Sequence, residues 1–465
     1  MKHLKNLCNS SISNEELRIE AEERMSLESE YLLMQYILAK DIADHGLSLL
    51  GGIKEIDIER YLSVVLSTHV PGPVSLFTPL EARFIVRSRI LTWMAGGSGV
   101  SLETLDLLLE HKRYMNFVPA IPKHYDYKQG DVKPAAHLLD YLLDFADVRE
   151  TFAATDILPF TSGNFVQIGF TASLMERIDK VWLLFMYSTF VSSVIFNSNN
   201  RNYHLKPGTY SDGMGSLLQK LLDINPDNKT SDDIPVIQSI PMQMQSYLVN
   251  AQCYAEAIEQ SIVTPVENLS FSSTEDKSLS QPVSYNLDMV ECILDLVDSI
   301  KVMSGSIIQR TEHMLSGKLS ELVPDVGIHS NKSDLSPISK IMFDMKEQVT
   351  KSLELASIEE RGQDSLGNVM ACATLLERRL DEIIALIKTE LFAQSRIYES
   401  NPSVADRINQ LHEREVPFNT LLFARYKLED DKDFTEFMDF AEREYDMMWN
   451  NDFYAEHSLR SIYIG

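Results

Sequence analysis

Apolar residues recur along much of this chain at the three- and four-residue spacing of a single helix face. Between Leu376 and Leu391 they fall at Leu376, Leu380, Ile383, Ile384, Ile387 and Leu391, with charged Glu377, Arg378, Arg379, Asp381 and Glu382 between them. This predicts an amphipathic helix with a solvated charged face, on which Arg378 and Glu382, four apart, can pair. The segment "LDMVECILDLVDSIKVMSGSIIQRTEHML" repeats the pattern through Leu287, Val290, Leu294 and Val297. A third segment, "VWLLFMYSTFVSSVIF" from Val181, is apolar almost throughout. It falls short of the roughly 20 residues a membrane span needs. It also carries hydroxyls at Ser188, Thr189, Ser192 and Ser193, so a buried core helix accounts for it better.

Stretches rich in Asn, Asp, Gly and Pro predict loops: "FNSNNRNYHLKPGTYSDGMGS", "DINPDNKTSDDIP" and "GKLSELVPDVGIHSNKSDLSP". The third separates the two long stripes. Alternating strand patterns are scarce, with "FVQIGF" as a short candidate, and no tandem repeat is present. The expected fold class is all-α, a bundle of long helices whose faces also pack on other subunits. After Phe418, the residues Phe434, Phe437, Phe440 and Ala441 suit one more amphipathic helix.

Length and charge narrow the partners. A chain of 465 residues can bury a large core. Its formal charge is −26 and no long basic run stands out, which argues against nucleic acid and against membrane surfaces. The four cysteines, Cys8, Cys253, Cys292 and Cys372, lack CxxC or CxxH spacing, so neither a zinc site nor a disulfide framework is expected. The first residues turn polar at once and lack the apolar region of a signal peptide, so the expected location is cytoplasmic.

Chemistry concentrates in "HYDYKQGDVKPAAH", His124 to His137, which holds paired His, Tyr, Asp and Lys residues around a single Gly. Asp131 is expected to cap a helix beginning near Val132, with Pro134 tolerated in the first turn. The spacing of His124, Asp126, Asp131 and His137 fits no metal signature, so no metal is expected. His137 reads as a hydrogen-bonded core histidine.

That stretch, with others in order along the chain, resembles the histidine/phenylalanine ammonia-lyase family. "PAIP" (Pro119 to Pro122) followed by Gly130-Asp131-x-x-Pro134-x-Ala136-His137 is similar to the family's Pro-x-x-Pro, Ala-Ser-Gly triad and Asp-Leu-x-Pro-Leu-Ala-His helix start. "GGSGV" (Gly96 to Val100) is similar to its Gly-x-Ser-Gly-Val, and "EQSIVTPVEN" (Glu259 to Asn268) to its Asn-Ser-Val-Thr-Asp-Asn-Pro. "SIEERGQDS" (Ser357 to Ser365) and "REVPF" (Arg414 to Phe418) complete the set, so the match runs from about Ile58 to Phe418. The resemblance implies an all-α homotetramer of the aromatic amino acid lyase type. It also implies a division into an N-terminal segment with a lid-like loop over 1–56, a lyase-like body over 57–418 and a C-terminal extension over 419–465.

The family's electrophile, methylideneimidazolone, arises by cyclising Ala-Ser-Gly and dehydrating the Ser. Here those positions read Lys128-Gln129-Gly130. Gln129 has no β-hydroxyl to eliminate, so no such group and no other cofactor is expected. Further positions differ in concert. His45 falls at the family's loop Tyr, Gly169 at the Asn of Asn-Gly-Thr, and Pro235 at the Tyr of Asp-Pro-Tyr-Ser-Leu-Arg. Gln238 falls at the carboxylate-binding Arg of that segment, and Asp364, after Gln363, at the Glu. Either Thr68 or His69 takes a family His. Ordinary ammonia-lyase activity is therefore not expected.

Two functional classes remain open. In the first, His45, His69, Tyr125, Lys128 and Asp364 carry out acid–base elimination, addition or cyclisation, with Tyr127, Gln129, Gln238 and Gln363 against the substrate. Without an arginine to grip a free carboxylate bidentately, that substrate is a small molecule masked as ester, amide or carrier-bound thioester. The bland readings are a solvated loop histidine at His45 and a Lys128 that pairs with Asp126. In the second class the chain is a scaffold or regulatory homologue. The titratable groups gained in "HYDYKQGD" favour the first.

Overall fold

Thr78 starts the first of the described helices. Its side chain accepts the Glu81 N–H at 3.3 Å, and the Glu81 carboxylate accepts the Thr78 N–H at 2.7 Å. This reciprocal cap satisfies two donors that the helical ladder leaves over. Pro79 follows at the first helical position, where its missing N–H costs nothing, and α1 runs Pro79–Met94. The computed structural model describes residues 75–95, 100–112, 119–123, 132–146, 152, 156–161, 163–196, 235–264, 269–272, 277–280, 286–315 and 369–413. The chain divides into two compact units. The first comprises Met1–Met175, Tyr254–Glu291 and Gly362–Thr374, and the second Glu176–Cys253, Cys292–Arg361 and Leu375–Gly465.

In the first unit α1 is enclosed around most of its circumference, burying Ile85, Ile90 and Trp93 together with Ser88, Arg89 and Thr92. The Arg89 guanidinium lies 4.7 Å from the Trp93 ring centroid and 4.6 Å from that of Phe165, so two aromatic faces receive its charge. Helix α2, Leu102–Lys112, is capped by Ser101, whose hydroxyl accepts the Thr104 N–H at 3.3 Å. The buried Asp156 carboxylate holds this cap in place. It accepts the Ser101 N–H at 3.3 Å, the Thr104 hydroxyl at 2.6 Å, and the Ser101 hydroxyl. Burial pushes the Asp156 carboxyl above the ordinary aspartate range, against the pull of the Ser101 and Thr104 bonds, and nearby Glu103 pushes the same way.

Next come α3, Val132–Ala146, α4, Ile157–Thr161, and α5, Phe165–Ser173. Gly163, at φ 98°, makes the turn into α5 in a region that side chains disfavour. The strand expected at "FVQIGF" is a correction: these residues are the first turns of α5, a helix buried on every side. Gly169 lets α5 cross α1 closely, because a Cβ there would lie 2.4 Å from the Ile85 Cα.

Helix α6, Met175–Ile195, contains the apolar segment, and its residues from Val181 onward are buried, as the core-helix reading expects. The short α7, Pro235–Gln238, precedes α8, Ile240–Val263. A hairpin of β1, Leu269–Ser272, and β2, Lys277–Ser280, pairs antiparallel with Leu269 opposite Ser280. The chain ends its described course with α9, Leu287–Leu315, α10, Val369–Ser400, and α11, Pro402–Glu413. Among the described residues the architecture is all-α apart from that hairpin.

The α9 helix spans the predicted segment end to end, but its buried stripe is shifted. Met289, Val290, Ile293, Leu296, Val297 and Ile300 face inward, while Leu287 is 61% exposed. On α10 the predicted stripe is fully buried at Leu376, Leu380, Ile383, Ile387 and Leu391 and half-buried at Ile384, and Arg378 meets Glu382 at 3.1 Å. Arg379 departs from its predicted solvated face. It is buried, and Glu382 accepts from it at 2.7 Å.

The core of the second unit encloses a polar network around Glu390. Arg310 on α9 donates through Nε to Glu390 Oε1 at 2.7 Å and through Nη2 to Oε2 at 2.8 Å. Ser192 donates to Oε1 at 3.0 Å and Ser188 to Oε2, so two of the α6 hydroxyls complete the carboxylate's shell. Gln394 donates to the Ser188 carbonyl and the Ser192 hydroxyl, each at 2.9 Å. Both predicted domain boundaries, at 56/57 and 418/419, lie outside the described residues.

Candidate functional site

The Pro-x-x-Pro segment is an anchored strap. Its Ile121 carbonyl accepts the Phe77 N–H at 2.9 Å, and the Lys123 N–H reaches the Ser75 carbonyl at 2.8 Å. Leu76 and Pro122 form an antiparallel bridge between these bonds. Ile121 is fully buried, as a strap with one inward side chain requires.

Lys123 fixes the end of the strap. Its ammonium sits 3.2 Å from Glu81 Oε1, on the first turn of α1. The same ammonium lies 4.6 Å from the Phe170 ring centroid and 5.7 Å from that of Phe77, two rings 5.3 Å apart. Glu81 therefore does two jobs, capping α1 with one oxygen and holding Lys123 with the other. Burial works to raise its carboxyl, but the Thr78 N–H and the Lys123 ammonium outweigh burial and hold it below the ordinary glutamate range. Sequence reasoning passes over this pair. Thr78-x-x-Glu81 is a legible capping-box signature, and Lys123 adjoins the Pro-x-x-Pro segment that the resemblance singles out.

The strap leads directly to the chemistry-dense stretch, and α3 takes over on its far side. Helix α3 begins at Val132 and Pro134 lies in its first turn, both as expected, with Ala135 and Ala136 buried behind. The segment 124–131 is thus bounded by two fixed points of the first unit. That segment lies outside the described residues, and with it the cap expected of Asp131.

Of the predicted site residues, Gln238 is described: it ends α7 and is half-buried. His45, His69, Tyr125, Tyr127, Lys128, Gln129, Gln363 and Asp364 lie outside the described residues, as do His124 and Asp126. His137 is half-buried on α3. Among the described residues no group of three or more His, Cys, Asp or Glu is placed to hold a metal ion. Gly169, the position expected to correspond to the family's Asn, is buried on α5 and carries no amide.

Comparison with solved structures defines the class of fold. The chain matches a histidine ammonia-lyase from Trypanosoma cruzi with a TM-score of 0.68 at 15% identity, covering 94% of this chain and 92% of that one. It matches the ergothioneine-degrading ergothionase from Treponema denticola with a TM-score of 0.69 at 14% identity, covering 94% and 97%. A tyrosine aminomutase from Streptomyces globisporus gives 0.68 at 13% identity, covering 94% and 97%. No family model and no curated protein sequence matches the chain. The fold is that of the ammonia-lyases and aminomutases, as the ordered motifs imply, and it extends over nearly the whole chain.

Proposed function

We propose that this chain is an ammonia-lyase-fold protein that works without the methylideneimidazolone electrophile. In this reading it performs acid–base elimination, addition or cyclisation on a small molecule whose carboxylate is masked. The observation that carries the reading is a contrast at one place. The anchored strap and the α3 start frame the segment 124–131, while Gln129 stands inside it where the chemistry needs a dehydratable serine. Lys128-Gln129-Gly130 does not fit the prosthetic group, because it lacks the serine whose dehydration forms it.

His45 serves as the base, since imidazole exchanges protons near neutral pH. Lys128 and Tyr125 supply donors from the framed segment, with His69 and Asp364 as further proton carriers. Tyr127, Gln129 and Gln363 line the substrate's body, and Gln238 offers an amide to a neutral carbonyl where an arginine would favour a free acid. A homotetramer in the cytoplasm completes the proposal. The scaffold reading is the weaker one, because the segment carries titratable side chains rather than small or apolar ones.

Two measurements test the proposal. The purified protein is expected to have the mass of its encoded chain, with no water lost, and to release no ammonia from histidine, phenylalanine or tyrosine. Thermal-shift titrations with free aromatic acids and with their amides, esters and thioesters should show binding of the masked forms alone. Gln238→Arg should then improve free-acid affinity by about tenfold, the worth of one charge-assisted bond. A dehydrated mass, ammonia release, or no binding of any masked acid overturns the reading.

A further inference from the structure

Helices α8 and α9 pack antiparallel in a register that can be read from their polar contacts. Ser246 Oγ lies 3.0 Å from Ser299 Oγ, and Asn250 Nδ2 donates to Ser299 Oγ at 2.7 Å and to the Asp295 carbonyl at 3.0 Å. Further along, Asn286 Nδ2 donates to Ser261 Oγ at 3.0 Å, so contact persists toward the hairpin. Two helical turns return a side chain to within about 20° of its starting direction. In an antiparallel pair, a contact therefore recurs seven residues up one helix and seven down the other. Seven residues after Ser246 stands Cys253, and seven before Ser299 stands Cys292.

The serine pair also measures reach. A serine oxygen and a cysteine sulfur are each one bond beyond Cβ, so hydroxyls that touch mark a separation short side chains can bridge. A disulfide needs Cβ atoms about 3.5–4.5 Å apart. The Cys253 and Cys292 positions are bracketed by contacts on both sides, neither residue is in a disulfide, and Cys253 is exposed to reagents while Cys292 is half-buried. The linear sequence conceals this pair, because its 39-residue spacing fits no motif and only the helical register aligns it.

We propose that Cys253 and Cys292 form a dithiol modification site that closes into a cross-helix disulfide with a low-molecular-weight disulfide as oxidant. The exposed Cys253 thiolate attacks one sulfur of the oxidant, forming a mixed disulfide and expelling one small thiolate. The Cys292 thiolate then attacks the Cys253 sulfur, forming the protein S–S bond and expelling the second. The two protein thiols give up two protons and two electrons, and the oxidant leaves as two thiols. The bond ties α8 to α9. It is independent of the function proposed above.

The test uses the full chain, folded in native buffer and treated with oxidised glutathione, then digested without reductant. The peptides containing Cys253 and Cys292 are expected as one joined pair lighter by two hydrogens, restored to separate thiols by a reducing agent. Cys253→Ser should abolish the joined pair, while Cys372→Ser leaves it intact. Since the digest identifies every cysteine, the unmodified chain suffices even where a variant folds poorly. A Cys253 glutathione adduct that never resolves, a bridge between two chains, or full alkylation of both thiols after oxidation overturns the proposal.

Discussion

Each unit of this molecule buries an ion pair, and the two are built on different plans. In the second unit, the fork of Arg310 meets both oxygens of Glu390, serines complete the shell, and neither side chain has any exposure. In the first, Lys123 meets one oxygen of Glu81 while the other oxygen caps a helix. The arginine pair joins three helices distant in sequence and leaves its charges no route to water. The lysine pair fastens a strap to a helix start beside the candidate site, and aromatic rings share its charge. Planar, bidentate geometry suits permanent enclosure, whereas a point charge on a flexible stem suits an anchor.

The largest effect should follow from opening the enclosed pair. Glu390→Ala strands the Arg310 charge and is expected to lower the unfolding free energy by about 3–5 kcal/mol, measured by urea denaturation. The double variant Arg310→Met with Glu390→Leu removes both charges and should recover most of that loss. If the double variant is as unstable as the single one, the network is more than a self-contained pair. Lys123→Met should cost less, about 1–3 kcal/mol, because Glu81 keeps its Thr78 bond and can take up a proton.

A pH titration separates the carboxylates of the first unit by sign. Glu81 is held below its ordinary range, so its contribution is complete above that range and is lost as pH falls through the folded value. Lys123→Met should shift the onset of that loss to higher pH. Asp156 is raised, so its contribution is present below the ordinary aspartate value and is lost as pH rises through the folded one. Asp156→Asn should therefore gain stability relative to the parent as pH rises across that window. A gap that narrows toward low pH for Asp156→Asn but widens for Lys123→Met would reverse both assignments.

What the chain discloses on its own depends on whether a helix has two kinds of face. Helix α9 matches its predicted span because its charged residues interrupt an apolar stripe at regular intervals. Helix α5 has no exposed face, so Phe165 to Phe170 satisfy a strand template as readily as a helical one. Arg379 reads as solvated because a charge at helical spacing usually is, and only its burial in the fold corrects that. The Arg310–Glu390 pair is invisible to periodicity, its members being 80 residues apart. At the candidate site the legible part is covalent: a glutamine cannot lose a β-hydroxyl. The strap geometry is not legible, since it rests on main-chain bonds between residues more than 40 apart.

The bonds from α6 to Glu390 set an order of events during synthesis. Ser188 and Ser192 leave the ribosome some 200 residues before the carboxylate they will hold. A nascent chain that stops short of residue 390 has a guanidinium at Arg310 with no anion to receive it. Long-range closure of this kind is slow. The second unit's core thus reaches its final form only once most of the polypeptide has been made, and prematurely terminated fragments are expected to remain unassembled and to be cleared by proteases.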